Sequence, residues 1–206
     1  MKIVKPLILK PFSGLLGALL CVVLAGCGPL DELPREVVVP EGFTSQGKLS
    51  LRPQGESKIK GFTANYRWQQ VGERYDLELW GALGQGRTRI TGTANRIEIV
   101  DGTGRKVTSR RPERLLKRHL GWSLPLTVLP YWLQGQPAPA PPTPAASRMR
   151  FLPSGDLASL NQIDWALEFS RYSVVTGLTR QERLPGRVRA TNDELKLTLV
   201  AREWTL

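Results

Sequence analysis

After Phe43, apolar residues recur at every second position except in the middle of the chain, and this alternation constrains the fold more than any other feature. It is clear in residues 74–79, 163–169 and 195–199, where apolar side chains share one face and charged or polar ones share the other. Turn signals at residues 101–104 and 185–186 separate such runs. The pattern predicts about nine or ten antiparallel strands, each with one wet and one dry face.

A sheet with this many strands curls, because every strand adds to the twist. We therefore expect a mainly β fold, in which a curled antiparallel sheet forms an open half-barrel with an apolar concave side. Residues 112–121 predict a short helix, since proline opens the segment and glycine closes it. Residues 124–133 predict a second short helix, and residues 135–147 an exposed, extended proline-rich loop.

Two short apolar helices inserted into a curled sheet suggest a lid over its concave face. The volume under that lid is either a solid core or a cavity, and the sequence pattern alone does not separate the two. Two short helices can cover only part of the concave face of a sheet with so many strands, and this favours an apolar cavity.

The N-terminal segment has the features of an export signal. A positive start is followed by an apolar stretch that is too short for a transmembrane helix, and the stretch ends in Leu24, Ala25, Gly26 and Cys27. This ending resembles a bacterial lipoprotein signal, in which the cysteine is acylated. We therefore predict a signal peptide at 1–26, a lipidated tether at 27–42 and a single lipid-binding β domain at 43–206. Glycine after the cysteine suggests the outer membrane.

Composition excludes most catalytic chemistry. The chain has one histidine, His119, and neither a thiol–histidine pair nor a serine triad can be assembled from the mature chain. We expect no catalytic residue, no metal site and no cofactor. Removing residues 1–26 takes away three lysines and no acid, so the net charge falls from +11 to +8. An exported, lipid-anchored chain with this charge meets anionic head groups, and we do not expect a nucleic-acid partner.

Residues 81–86 contain three glycines and invite comparison with a phosphate-binding loop. Such a loop joins a strand to a helix, whose N-terminus holds the anion. Here an alternating strand pattern lies on both sides, so the segment is predicted to be a hairpin tip that presents Leu83.

Taken in order, these features resemble the LolB family of outer-membrane lipoproteins. The resemblance covers most of the mature chain and includes the acylation motif, the Leu83 loop and the late Trp204. Its other parts are residues 68–70, Tyr75, residues 100–101, 115–116, 124–125, 132–135 and 195–197. The chain departs from the family in lacking a proline before Leu83, and its proline-rich insert is longer than usual.

The resemblance implies a receptor, anchored in the outer membrane through Cys27 and facing the periplasm. It would accept acylated lipoproteins from a periplasmic, LolA-like carrier and insert them into the inner leaflet without nucleotide. Leu83 would be the membrane-inserting residue, and the protein is expected to be a monomer. Candidates for the acyl-chain cavity are the apolar side chains of the dry strand faces and the lid: Tyr75, Leu77, Leu79, Leu129, Trp132, Trp165, Leu167 and Phe169. The alternative is a structural or assembly outer-membrane lipoprotein that binds a protein partner.

Overall fold

A computed structural model describes residues 42–55 and 60–206. The predicted signal peptide, Cys27 and the tether up to residue 41 lie outside these residues. The described chain forms eleven antiparallel strands in one open sheet and two short helices. The strands are β1 (Gly42–Pro53), β2 (Phe62–Val71), β3 (Arg74–Trp80), β4 (Thr88–Thr93), β5 (Arg96–Val100), β6 (Lys106–Ser109), β7 (Ser147–Phe151), β8 (Leu157–Gln162), β9 (Trp165–Thr176), β10 (Gln181–Thr191) and β11 (Leu195–Thr205).

The strand order is β6-β5-β4-β3-β2-β1-β11-β10-β9-β8-β7. Two meanders are joined where the first strand, β1, pairs with the last, β11. Every other pair of sheet neighbours is consecutive in the sequence, and β6 and β7 form the two edges. The mainly β, open antiparallel architecture is confirmed. The expected nine or ten strands were too few, because β6 has only four residues and β7 exposes every side chain, which leaves no alternation to detect.

One predicted turn was wrong. Residues 185–186 lie inside β10, where Pro185 pairs with Tyr172 of β9. The pairing of β10 with β11 covers only Arg187 to Thr191. Pro185 therefore lies on a stretch that is paired on one side, where a missing N–H is tolerated.

The two helices pack on the dry face of the sheet. Helix α1 (Pro112–Leu120) ends at Gly121 with φ 81°, as the sequence predicted, and it buries Leu115 and Leu116 against the core. Helix α2 (Leu129–Leu133) is shorter than the predicted 124–133. Pro130 lies in its first turn, the position where proline costs a helix no hydrogen bond. No helix in the described part of the chain combines the length and the apolar character that crossing a membrane requires.

The proline-rich loop is not uniformly exposed. Ala138 is buried, and the side chain of Gln162 holds the loop by accepting a bond from the Ala138 N–H (2.9 Å) and donating to the Ala138 carbonyl (2.8 Å). Gln162 also donates to the carbonyl of Pro144 at 3.0 Å. The same amide oxygen accepts the indole N–H of Trp132 at 2.9 Å. Gln162 therefore fixes both the loop and α2 to the end of β8.

Candidate lipid-handling and membrane-contact site

The glycine-containing loop is a tight hairpin between β3 and β4. The N–H of Gly84 donates to the Gly81 carbonyl (3.0 Å), and the N–H of Gly81 donates to the Gln85 carbonyl (2.9 Å). Gly84 has φ 78°, a left-handed value that glycine adopts without strain. Because the loop joins two strands, it has no helix N-terminus to hold an anion.

Leu83 lies at the tip of this hairpin and is 84% exposed. Its neighbours in the turn are glycine or alanine, so no large side chain of the turn covers it. Fully burying a leucine is worth about 1.5–3 kcal/mol. The hairpin therefore presents an apolar group that could gain this free energy only from something outside the described fold.

All eight candidate cavity residues lie in the core, each with no more than 6% of its surface exposed. The structure brings the lid and the sheet together at Trp132 of α2 and Trp165 of β9, whose ring centroids are 6.2 Å apart. At this point the lid packs directly on the sheet. Leu77, Leu129, Leu167 and Phe169 are also buried in this core.

Tyr75 borders a pocket of about 610 Å³ between the β2–β3 turn and the segment that leads into α2. The apolar part of its lining comes largely from Leu126, Val128, Pro130 and Tyr131. The Tyr75 hydroxyl is buried and has no hydrogen-bond partner among the described residues. Burial raises the pKa of Tyr75 to about 12, so the hydroxyl is a neutral donor at physiological pH.

Leu79, at the other end of β3, borders a different pocket of about 320 Å³. Leu120 and Trp122, from the end of α1 and just beyond it, line this pocket together with Gly81 at the root of the Leu83 hairpin. Trp122 stacks on Phe62 with ring centroids 5.9 Å apart. The residues predicted to line one cavity are thus spread over a packed core and two pockets.

Two features of the structure, Gln162 and Leu178, were not predicted from the sequence. Gln162 resembles any polar residue at a strand end, and its partners are 18 to 30 residues away along the chain. Leu178 is fully exposed in the turn between β9 and β10. It follows Gly177, so the pattern that drew attention to Leu83, a leucine in a glycine-containing hairpin turn, would also have found it.

The described residues define a mainly β protein, with one open antiparallel sheet, two short helices on its dry face, apolar-lined pockets and an exposed apolar tip. Comparison with known proteins identifies the family. Residues 41–204 match the family described as "Outer membrane lipoprotein LolB". The outer-membrane lipoprotein LolB of Cellvibrio japonicus is 32% identical over 198 residues, covering 94% of this chain and 92% of that relative. The protein of the same name from Pseudomonas fluorescens is 34% identical over 166 residues, covering 80% and 74%.

The chain belongs to the LolB family, which confirms the family indicated by the sequence. The protein is an outer-membrane lipoprotein, and the predicted location is likewise confirmed. Its role is in lipoprotein transport, as a receptor and insertion protein at that membrane.

Proposed function

We propose that this chain accepts acylated lipoproteins from a LolA-like periplasmic carrier and inserts them into the inner leaflet of the outer membrane. Cys27 would carry the lipid anchor, and Leu83 would contact the bilayer. The observation that supports this most strongly is the exposure of Leu83 on a short hairpin next to an apolar pocket.

The size of the cargo's apolar surface explains why a receptor is needed. Each buried methylene is worth about 0.8 kcal/mol, so three chains of about 16 carbons amount to roughly 38 kcal/mol. Free transfer through water is excluded on that scale. The pocket beside Tyr75 has the volume of a small-molecule site, about 300–1,000 Å³. Taking up several chains would require α2 and the proline-rich loop to move away from the sheet.

The Tyr75 hydroxyl would serve as the polar contact in that pocket. It is neutral, buried and without a protein partner, so a cargo ester or amide carbonyl would complete its hydrogen bonding. Apolar walls with a few placed polar groups are typical of small-molecule sites. The eight candidate residues would then contact acyl chains only after the lid opens.

The free energy of transfer to the membrane must be negative by itself, because the proposal includes no nucleotide. The pocket has to hold acyl chains less tightly than the bilayer does. Leu83 cannot anchor the domain, since one buried leucine contributes only about 1.5–3 kcal/mol. Its part would be to bring a domain already tethered through Cys27 into contact with the membrane surface.

Leu83→Glu tests this role, and the chain offers a matched control. Leu178→Glu makes the same change at another exposed leucine, also in a hairpin turn but at the opposite strand ends. We expect Leu83→Glu to accept lipoprotein from the carrier and fail to deliver it to vesicles, while Leu178→Glu does both. Normal delivery by Leu83→Glu, or equal loss in both variants, would contradict the proposed role of Leu83.

One observation favours the alternative, an assembly lipoprotein with a protein partner. Edge strand β7 exposes all its side chains, including Met149 and Phe151, and an open edge can accept another strand. Charged substitutions Met149→Lys and Phe151→Lys would abolish partner binding under this alternative. Under the receptor proposal, lipoprotein transfer would continue.

A further inference from the structure

Helix α1 and the two residues before it carry a dense group of cations, here named the basic face: Arg110, Arg111, Arg114, Lys117 and Arg118. All five side chains are exposed. Between residues 105 and 123 the only acid is Glu113. Lys117 and Arg118 follow Arg114 by three and four residues, so all three lie on one side of the helix. Leu115 and Leu116 are buried on the other side.

Helix stability does not account for these charges. A helix dipole favours cations near the C-terminus, which fits Lys117 and Arg118. Arg110, Arg111 and Arg114 lie before or within the first turn, where the dipole disfavours positive charge. Like charges at spacings of three and four residues also destabilise a helix. Local helix stability therefore does not account for the group as a whole.

The basic face is not neutralised by the fold either. Elsewhere, arginines pair with acids, as Arg89 does with Asp76 and Arg183 with Asp156. None of the five basic-face residues forms an ion pair with another residue in 42–55 or 60–206. Their charge is available to a partner.

The C-terminal end of α1, which carries Lys117 and Arg118, lies near the root of the Leu83 hairpin. Leu120, the last residue of α1, lines the same pocket as Gly81 and Gly86, which flank the hairpin turn. The β5–β6 turn also packs against the hairpin, because a Cβ placed on Gly102 would lie 3.3 Å from the Cα of Gly86. The exposed apolar tip and the cations near the C-terminal end of α1 thus lie at the same end of the sheet.

We propose that the basic face binds the anionic head groups of phospholipids in the membrane that Leu83 contacts. An apolar group beside exposed lysine and arginine is the arrangement by which proteins dock on anionic lipid surfaces. The core of a protein interface, by contrast, is built around large apolar and aromatic anchors, and α1 exposes no large apolar side chain. The inference rests on the proposed function only for the orientation set by Leu83, because binding to lipid requires no cargo.

Each cation near an anionic surface strengthens binding about fivefold. Neutralising Arg114, Lys117 and Arg118 should therefore weaken binding on the order of 100-fold. The effect should shrink at high salt, because screening acts over about 8 Å at physiological ionic strength.

The test uses the mature chain from residue 27 with Cys27→Ala, so that its own lipid does not mask surface binding. The basic-face variant carries Arg114→Gln, Lys117→Gln and Arg118→Gln, with glutamine chosen as a good helix former. The matched control carries Arg74→Gln, Arg171→Gln and Arg202→Gln. Arg74 is exposed at the end of β3 away from the hairpin, and Arg171 and Arg202 are exposed on β9 and β11 in the other half of the sheet. Melting curves confirm that all three proteins are folded.

Co-sedimentation is measured with vesicles of phosphatidylethanolamine and phosphatidylglycerol, and with vesicles of phosphatidylcholine alone. We expect the basic-face variant to lose on the order of 100-fold in binding to the anionic vesicles, the control to lose far less, and neither to change on neutral vesicles. Equal loss in both variants would overturn the proposal, because net charge alone would explain it. Unchanged vesicle binding with weakened capture of an acidic carrier would overturn it in favour of a protein partner. Failure of lipoprotein transfer with intact vesicle binding would contradict the proposed function and leave this inference standing.

Discussion

Replacing Gln162 with leucine tests how the lid is held. The Gln162 side chain is 1% exposed and makes four hydrogen bonds of 2.8–3.0 Å, to Trp132, to both backbone groups of Ala138 and to the Pro144 carbonyl. Leucine has a similar size but no polar atom. The Trp132 indole N–H and the Ala138 N–H would lose their acceptor in a buried environment.

The expected loss follows from those two donors. A buried donor left without a partner costs about 1–3 kcal/mol, so Gln162→Leu should lower the free energy of unfolding by about 2–6 kcal/mol. This is a large part of the roughly 5–15 kcal/mol that stabilises a typical domain. Gln69→Leu, an exposed change on β2, should alter stability by no more than about 0.5 kcal/mol.

Urea unfolding followed by tryptophan fluorescence measures both values. A shift of the midpoint at constant slope would show that stability changed and the unfolded state did not. A loss below about 1 kcal/mol for Gln162→Leu would refute the reasoning, because the lid would then be held without this amide.

Gln162→Glu gives a pH-dependent version of the same test. The carboxyl would be buried beside two carbonyls, so its pKa should rise above the unfolded value of about 4.3. Because this pKa is higher in the folded than in the unfolded state, the variant is most stable at a pH below the unfolded pKa. It loses stability as the pH rises through the folded pKa. Stability relative to the wild type should therefore be lower at neutral pH than at pH 4, and the opposite trend would contradict the placement of the side chain.

Two further predictions concern single polar groups. Tyr75→Phe removes a buried hydroxyl that has no partner among the described residues, so stability should be unchanged or higher, while binding of an acylated cargo should weaken by roughly 2- to 13-fold. A thermal melt and a cargo-binding titration measure the two effects, and a marked loss of stability would contradict this assignment. Bidentate hydrogen bonds from Arg183 hold the pKa of the Asp156 carboxyl below its usual value, so their stabilisation is present at neutral pH and is lost as the pH falls through that lowered pKa. The melting temperature of Asp156→Asn should thus be below that of the wild type at pH 7 and approach it below about pH 4, and an unchanged difference would contradict the ion pair.

Much of the fold follows from the sequence because the sheet has one dry face. Alternation in β3, β9 and β11 identifies both the strands and their buried side. β7 has no buried face, so its sequence shows no alternation. Pro185 can lie within β10 because β11 does not pair with that part of the strand. These features depend on partners elsewhere in the chain, which a local pattern does not contain.

The site was partly predictable for the same reason. Strands on both sides of residues 81–86 were enough to place Leu83 at a hairpin tip. The pattern also identified which side chains face inward, but whether α2 packs on them or leaves a gap depends on the contact between Trp132 and Trp165. The C-terminal end of α1 lies near the Leu83 hairpin because of the path that α1 takes across the sheet, which composition does not determine.

The central claim is that the protein takes an acylated lipoprotein from a carrier and does so without nucleotide. The most direct measurement mixes the mature chain carrying Cys27→Ala with a purified carrier–lipoprotein complex and asks which protein holds the lipoprotein after separation. We predict that the acylated lipoprotein moves to this chain in the absence of ATP, and that the same lipoprotein without its acyl chains does not associate with it. An acylated lipoprotein that stays with the carrier would contradict the account.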